Sequence, residues 1–250
     1  MIDLEGQRIL VVGGSSGIGR AVGVRAAARG AHVAFAARRA ERLAEAVSTT
    51  GGTSLAITCD VRHQPRCSEV VAEAAHHFGG LDAVVYAAGT SPLTRFPDAD
   101  GELWQTVLET NVVGAALVSR AALPYLEESG GRLLFLGSSS EGRPYPGLVP
   151  YATSKAALHE MARGLRNEYP WLRVTTFVVG PTLSEFADSW DQDLAVEMFT
   201  RWMAEGYSAG AAVMEIDDMA DQVLGVLASG ARIEDIHVMP DPGPIGPTEH

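Results

Sequence analysis

Cysteine is nearly missing from this chain of 250 residues, with Cys59 and Cys67 the only two. So few thiols exclude a disulfide framework. Cys59 ends an apolar, strand-like run and Cys67 lies in a helix-like one, so two buried thiols are expected. Cations are scarce as well. Lys+Arg number 19 against 31 Asp+Glu, a formal net charge of −12. That balance repels phosphate backbones and anionic lipid, and argues against nucleic acid or a membrane surface as partner. No apolar run approaches the roughly 20 residues that a membrane-spanning helix needs. The start, Met1-Ile2-Asp3-Leu4-Glu5, lacks a basic leader segment, so a cytoplasmic protein is expected. The 7 histidines are scattered, and the adjacent His76 and His77 point to different sides of a helix. No metal site is expected.

What the chain has is apolar sequence, 46% of it, enough for one sizeable core. Seven short runs read as strands: Ile9–Val12, Ala31–Ala37, Ser54–Cys59, Leu81–Tyr86, Arg132–Leu136, Val174–Val179 and Ile236–Met239. They show no clear polar alternation, as expected of parallel strands covered on both faces. Helices are expected over about 17–29, 40–49, 65–78, 99–127 (broken near Asn111), 151–168 and 216–229. Strand–helix alternation predicts an α/β fold, a doubly wound, Rossmann-type parallel sheet of seven strands with helices on both faces, in a single domain over 1–240. Its ligands belong at the carboxyl ends of the strands. Residues 241–250 complete a Pro/Gly-rich tail that begins at Pro240 and cannot be regular structure.

Two stretches carry chemistry. In Tyr151-Ala-Thr-Ser-Lys155 the phenol and the ammonium are four residues apart, on one face of a helix. A nearby positive charge favours the phenolate, and is expected to bring Tyr151 towards the range of a general acid/base. Taken alone, that spacing equally suits an amphipathic helix start. The second stretch, Val12-Gly13-Gly14-Ser15-Ser16-Gly17-Ile18-Gly19, stands between a strand and a helix. Glycines there permit a tight turn and close backbone approach, and the helix start offers unpaired N–H groups to a pyrophosphate. Gly13, Ser15, Ser16, Gly17, Ile18 and Gly19 are the candidate cradle.

The glycine loop and the Tyr-x-x-x-Lys pair together resemble the short-chain dehydrogenase/reductase family, in its single-domain branch of about this length. The resemblance implies an oxidoreductase that moves a hydride between a nicotinamide cofactor and a carbonyl or alcohol. Tyr151 would be the proton donor, Lys155 would tune it and bind the ribose, and Asn111 would hold a water linked to that lysine. Ser138 would orient the substrate oxygen, with Ser139 its alternative. Asp60 and Val61 would touch the adenine, and Ala88 and Gly89 would flank the cofactor. Gly180, with Thr182 or Ser184, would meet the nicotinamide. Ala37 stands where relatives that use NAD place an acid, and Arg38 follows it; an arginine there suits a 2′-phosphate, so NADP is expected over NAD. Residues 181–215, with Trp190, Met198, Phe199, Trp202, Met203 and Tyr207, would close over the substrate, unless this stripe is only a helix packed on the body. The expected partner is a small carbonyl or alcohol, an apolar one included, and the expected assembly a homodimer or homotetramer. A cofactor sensor without catalysis and an epimerase or dehydratase are the alternatives.

Overall fold

The computed structural model describes residues 3–52, 54–182, 184–207 and 213–241. Strands and helices alternate as β1 (Arg8–Val12), α1 (Gly17–Ala27), β2 (His32–Ala37), α2 (Ala40–Ser48), β3 (Ser54–Thr58), α3 (Gln64–Phe78) and β4 (Ala83–Tyr86). They continue as α4 (Gly101–Leu108), α5 (Gly114–Ser129), β5 (Arg132–Ser138), α6 (Val149–Glu168), β6 (Arg173–Val179), α7 (Gln192–Ala204), α8 (Ile216–Ala228) and β7 (Asp235–Val238). One parallel sheet takes the order β3-β2-β1-β4-β5-β6-β7. The order reverses between β1 and β4, which opens a crevice at the carboxyl ends of those two strands.

Apolar side chains alternate between the two faces of the sheet. Val12, Tyr86 and Phe135 face a layer built with Val70 of α3, Val118 of α5 and Leu158 of α6. Val11, Phe35, Leu134 and Phe177 face the opposite layer, with Val22 of α1 and Leu224 of α8. The central β5 is buried along its whole length, which is why it reads as a continuous apolar run. The edge strands depart from that expectation. Asp235 and His237 of β7 are exposed and alternate with half-buried neighbours, because one side of an edge strand meets solvent. Cys59 and Cys67 are both buried and free.

Most boundaries differ from the sequence-based reading by one or two residues. β4 begins at Ala83 rather than Leu81, because Asp82 turns its carboxylate onto Arg8, whose backbone N and Nε both donate to Oδ2 at 2.9 Å. The helix expected over 99–127 is capped by Asp100, which accepts from Leu103 N at 2.8 Å. It breaks where expected, in a π-helical turn over Glu109–Val113. The tail from residue 242 onward lies outside the described residues, as do Leu183 and residues 208–212 of the closing segment.

The contact of α1 with β2 is close enough to yield a test. A Cβ on Gly23 would lie 2.2 Å from Phe35 Cε1, whereas one on Gly225 of α8 would meet nothing within 4 Å. Ala is better than Gly in a helix by about 1 kcal/mol, but overpacking a core costs about 1–3 kcal/mol. Gly23→Ala should therefore lower the urea midpoint while Gly225→Ala raises it slightly. A stabilised Gly23→Ala would mean that α1 is not held against Phe35.

Candidate active site

α6 starts at Val149-Pro150, and its first turns carry the predicted pair inward. Tyr151 is 7% exposed and Lys155 5%. Lys155 Nζ donates to the Leu136 carbonyl at 2.7 Å and lies 5.6 Å from the centre of the Tyr151 ring. Ser138 ends β5 beside Tyr151, near enough for its hydroxyl to pull the phenol downward. Ser138 Oγ also accepts from Ser140 N at 3.2 Å and from Ser140 Oγ at 2.9 Å. Ser139 acts instead on the phenol of Tyr145, which donates to the Tyr207 carbonyl at 2.7 Å. The strand register thus brings Ser138, not Ser139, to Tyr151.

The π-turn places Asn111, fully buried, on the other side of the pair. Its Oδ1 accepts from Thr90 N at 2.8 Å; its Nδ2 donates to Thr90 O at 3.0 Å and to Ser154 Oγ at 2.8 Å. Ser154 Oγ in turn donates to the Tyr151 carbonyl at 2.7 Å. Tyr86 fixes the turn from β4 by donating to the Thr110 carbonyl at 2.5 Å. Neither Ser154 nor Tyr86 was foreseen. Ser154 precedes the lysine directly; Tyr86 looks like any strand residue until the break at Asn111 is known.

Burial governs the charges. It pushes the Tyr151 phenol up to about 12, against the downward pull of the Ser138 hydrogen bond. The same burial pulls the Lys155 ammonium down to about 8. The lowering of Tyr151 expected from Lys155 is not found: the ammonium is turned onto a backbone carbonyl, and burial raises the phenol.

The glycine loop borders the crevice beside this centre. Gly13 has φ +91°, and a Cβ on it would lie 2.5 Å from Ala88 N; a Cβ on Gly19 would lie 2.4 Å from Gly13 O. That is the close packing a nucleotide loop requires. Ile18 packs on the core. Over Gly17 there is open space, and Gly89 is approached only by Asn111 Oδ1 and Lys155 Nζ, at 3.5 and 3.7 Å from a Cβ position. These residues fit a dinucleotide laid from the loop towards Lys155. Asp60 hydrogen-bonds Arg62, which holds its carboxyl below the usual range, and Val61 is buried beside it. Gly180 is buried, Thr182 Oγ1 donates to the Gly180 carbonyl at 3.0 Å, and Ser184 Oγ accepts from Phe186 N at 3.4 Å.

Arg38 is exposed, near enough to Asp60 to lower its carboxyl further. The neighbouring Arg39, which sequence reasoning passed over, reaches the loop itself. Its Nη2 donates to Ser16 Oγ at 2.7 Å and to Ser15 Oγ at 3.3 Å. The second residue of an Arg-Arg pair leaves the strand on the opposite side from the first, which is the signal that could have found it.

The segment after β6 folds over Tyr151. The Phe186 ring meets the Tyr151 ring edge-on at 5.2 Å. Trp190 Nε1 donates to the Ser91 carbonyl at 2.6 Å, and Trp202 Nε1 to the Pro146 carbonyl at 2.9 Å. Met198 and Trp202 are buried, Phe199 and Met203 about half exposed. The aromatic stripe is therefore a helix packed on the body, and what it packs on includes the candidate catalytic tyrosine.

Residues 7–207 match the sequence model of the short chain dehydrogenase family. The chain is similar to dehydrogenase/reductase SDR family member 4 of Sus scrofa, 34% identical over 66% of this chain and 61% of that protein. It is also similar to 11-beta-hydroxysteroid dehydrogenase 1A of Arabidopsis thaliana, 36% identical over 66% of this chain and 49% of that one. The match thus spans about half to three-fifths of these relatives' length. A dehydrogenase/reductase structure from Sinorhizobium meliloti superposes with TM-score 0.84 at 28% identity, covering 97% of both chains.

The depressed ammonium has a consequence for stability. Between about pH 8 and the ordinary lysine value of 10.5, the unfolded chain carries a proton on Lys155 that the folded one lacks. Stability should therefore rise with pH across that window, and below it the buried charge should cost on the order of 3 kcal/mol. Lys155→Met should stabilise the protein at pH 7 and flatten the slope between pH 8 and 10.5. Denaturant titrations at several pH values check this. A destabilised Lys155→Met would show that the bond to Leu136 outweighs burial.

Proposed function

The chain belongs to the short-chain dehydrogenase/reductase family, and on that premise we propose that it is an NADP(H)-dependent oxidoreductase interconverting a carbonyl and an alcohol. One observation carries this reading: four polar side chains distant in sequence, Asn111, Ser138, Tyr151 and Lys155, converge at the carboxyl ends of β4 and β5. A bound nicotinamide supplies the hydride. Tyr151, protonated at neutral pH, donates the proton to the substrate oxygen, and the Ser138 hydroxyl polarises and orients that oxygen. Lys155 supplies a positive charge where negative charge develops, and would bind the ribose from its place beside Gly89. Asn111 holds the α4–α5 break that keeps this end of α6 in place, by way of Ser154. The segment 181–215 acts as the lid: its Phe186 excludes water from Tyr151 and gives an apolar substrate a surface to meet. The family's habit of pairing through α5 and α6 supports a homodimer or homotetramer, and the location that goes with this reading is the cytoplasm.

An assay of NADPH oxidation against ketones and aldehydes tests the reading. Tyr151→Phe should lower kcat by roughly 10²–10⁴-fold while cofactor binding persists. Ser138→Ala should lower kcat far more than Ser139→Ala. A Tyr151→Phe enzyme with most of its rate, or the reverse order of the serines, would refute these assignments.

For the cofactor, Arg38 and Arg39 both stand at the end of β2, with no acid at Ala37. A hydrogen bond to a charged group contributes about 1.5–3 kcal/mol, which is roughly 10–150-fold in affinity. NADPH should bind more tightly than NADH by about that factor, and less so as salt rises. Arg38→Ala and Arg39→Ala should each weaken NADPH and leave NADH nearly unchanged. Fluorescence titration of both cofactors decides it; equal wild-type affinities would return both arginines to the solvated surface.

A further inference from the structure

One buried carboxylate next to this centre has no role in the scheme above. Glu141 closes the single turn that follows Ser138, with its side chain 11% exposed. Oε1 contacts His159 Nδ1 at 2.8 Å, whereas Oε2 is buried without a hydrogen-bond partner. Oε2 lies over β5, 3.4 Å from where a Cβ on Gly137 would be. The adjacent carbonyl in that strand, Leu136, is the one that receives Lys155 Nζ. His159 follows Tyr151 and Lys155 at intervals of four, on the same face of α6. Its Nε2 is 3.2 Å from Asp235 Oδ1. Arg166 grips Asp235 through Nη2–Oδ1 at 2.9 Å and Nη1–Oδ2 at 3.2 Å.

A clamp on His159 needs only one acceptor oxygen, which an uncharged amide would supply. Burying a full carboxylate with an unpartnered oxygen is costly, so its charge requires a reason. We propose that Glu141 is a positioning residue for the Tyr151–Lys155 centre, the fixed counter-charge of its buried ammonium, held in place through His159 by Asp235 and Arg166. This rests on the reading of Tyr151 and Lys155 as the acid–base centre. The groups that face Glu141 are Tyr151, Lys155 and His159 of α6; Arg143, in the loop after it, turns away onto the Tyr207 ring at 4.0 Å. The Glu141 charge raises Lys155 against burial and raises Tyr151 along with it. Both protons are thereby retained, as proton donation to a substrate oxygen requires.

Lys155 is the chain's only lysine, so lysine labelled with ¹³C at Cε gives one side-chain resonance to titrate in the 250-residue chain. Glu141→Gln should lower the Lys155 midpoint by about one pH unit, and Glu141→Asp, which keeps the charge, should recover most of it. His159→Gln, which releases the clamp but leaves the carboxylate, should lower it less, and provides the test should Glu141→Gln fail to fold. A midpoint unchanged or raised in Glu141→Gln, or in His159→Gln if only that variant folds, overturns the proposal. The titration needs no substrate. A lowered midpoint in a protein that reduces no carbonyl would sink the catalytic reading alone, and an active enzyme with an unmoved midpoint would sink this one alone.

Discussion

The ammonium of Lys155, buried and hydrogen-bonded to the Leu136 carbonyl, is the constraint around which the functional end of this sheet is arranged. A cation removed from water needs polar surroundings. Around it stand a strand carbonyl, the Glu141 carboxylate and the backbone beside Gly89. Because Lys155 is fixed to β5, so is the first half of α6, and Tyr151 one turn earlier is carried against Ser138. The measure of the tension is that burial holds the lysine proton loosely and the tyrosine proton tightly. Keeping such a pair buried costs stability.

Close backbone approach is the second constraint, and it acts at the crevice between β1 and β4. Gly13 and Gly19 fit only because neither has a Cβ. Beside them, Gly17 opens onto free space and Gly89 is approached by Asn111 and Lys155. Arg39 reaches back across this loop to Ser15 and Ser16, so the basic end of β2 and the loop form one surface. Across the crevice, Tyr86 and Asn111 hold the π-turn, and Ser154 passes that order on to α6. Asn111 and Lys155 are thus fixed by hydrogen bonds to backbone groups, of Thr90 and Leu136.

The segment after β6 shows how one pattern serves two purposes. Trp202 buries its ring and Trp190 most of its own, and both satisfy their indole N–H groups on carbonyls of the body, as buried indoles must. Phe186, with less of its surface covered, lies edge-on to Tyr151. Helical packing and coverage of the candidate site are here the same contact.

The sequence by itself determined the sheet and the identity of the central pair. Buried parallel strands must be apolar without alternation, so all seven strand runs were legible, and the pairing of Tyr151 with Lys155 was legible because one helix brings them together. The exposure of the edge strands was less so, since it depends on having no further neighbour. What only the tertiary structure decided is everything that two elements must meet to define. The choice of Ser138 over Ser139 depends on the register of β5 with β6. Arg39 depends on a loop folding back to it, and Ser154 and Tyr86 depend on the α4–α5 break. The Glu141–His159–Asp235 line joins a turn, a helix and an edge strand. Even the direction of the Tyr151 shift was decided there, because spacing along a helix gives the distance between charges, and only packing gives how far water has been removed from them.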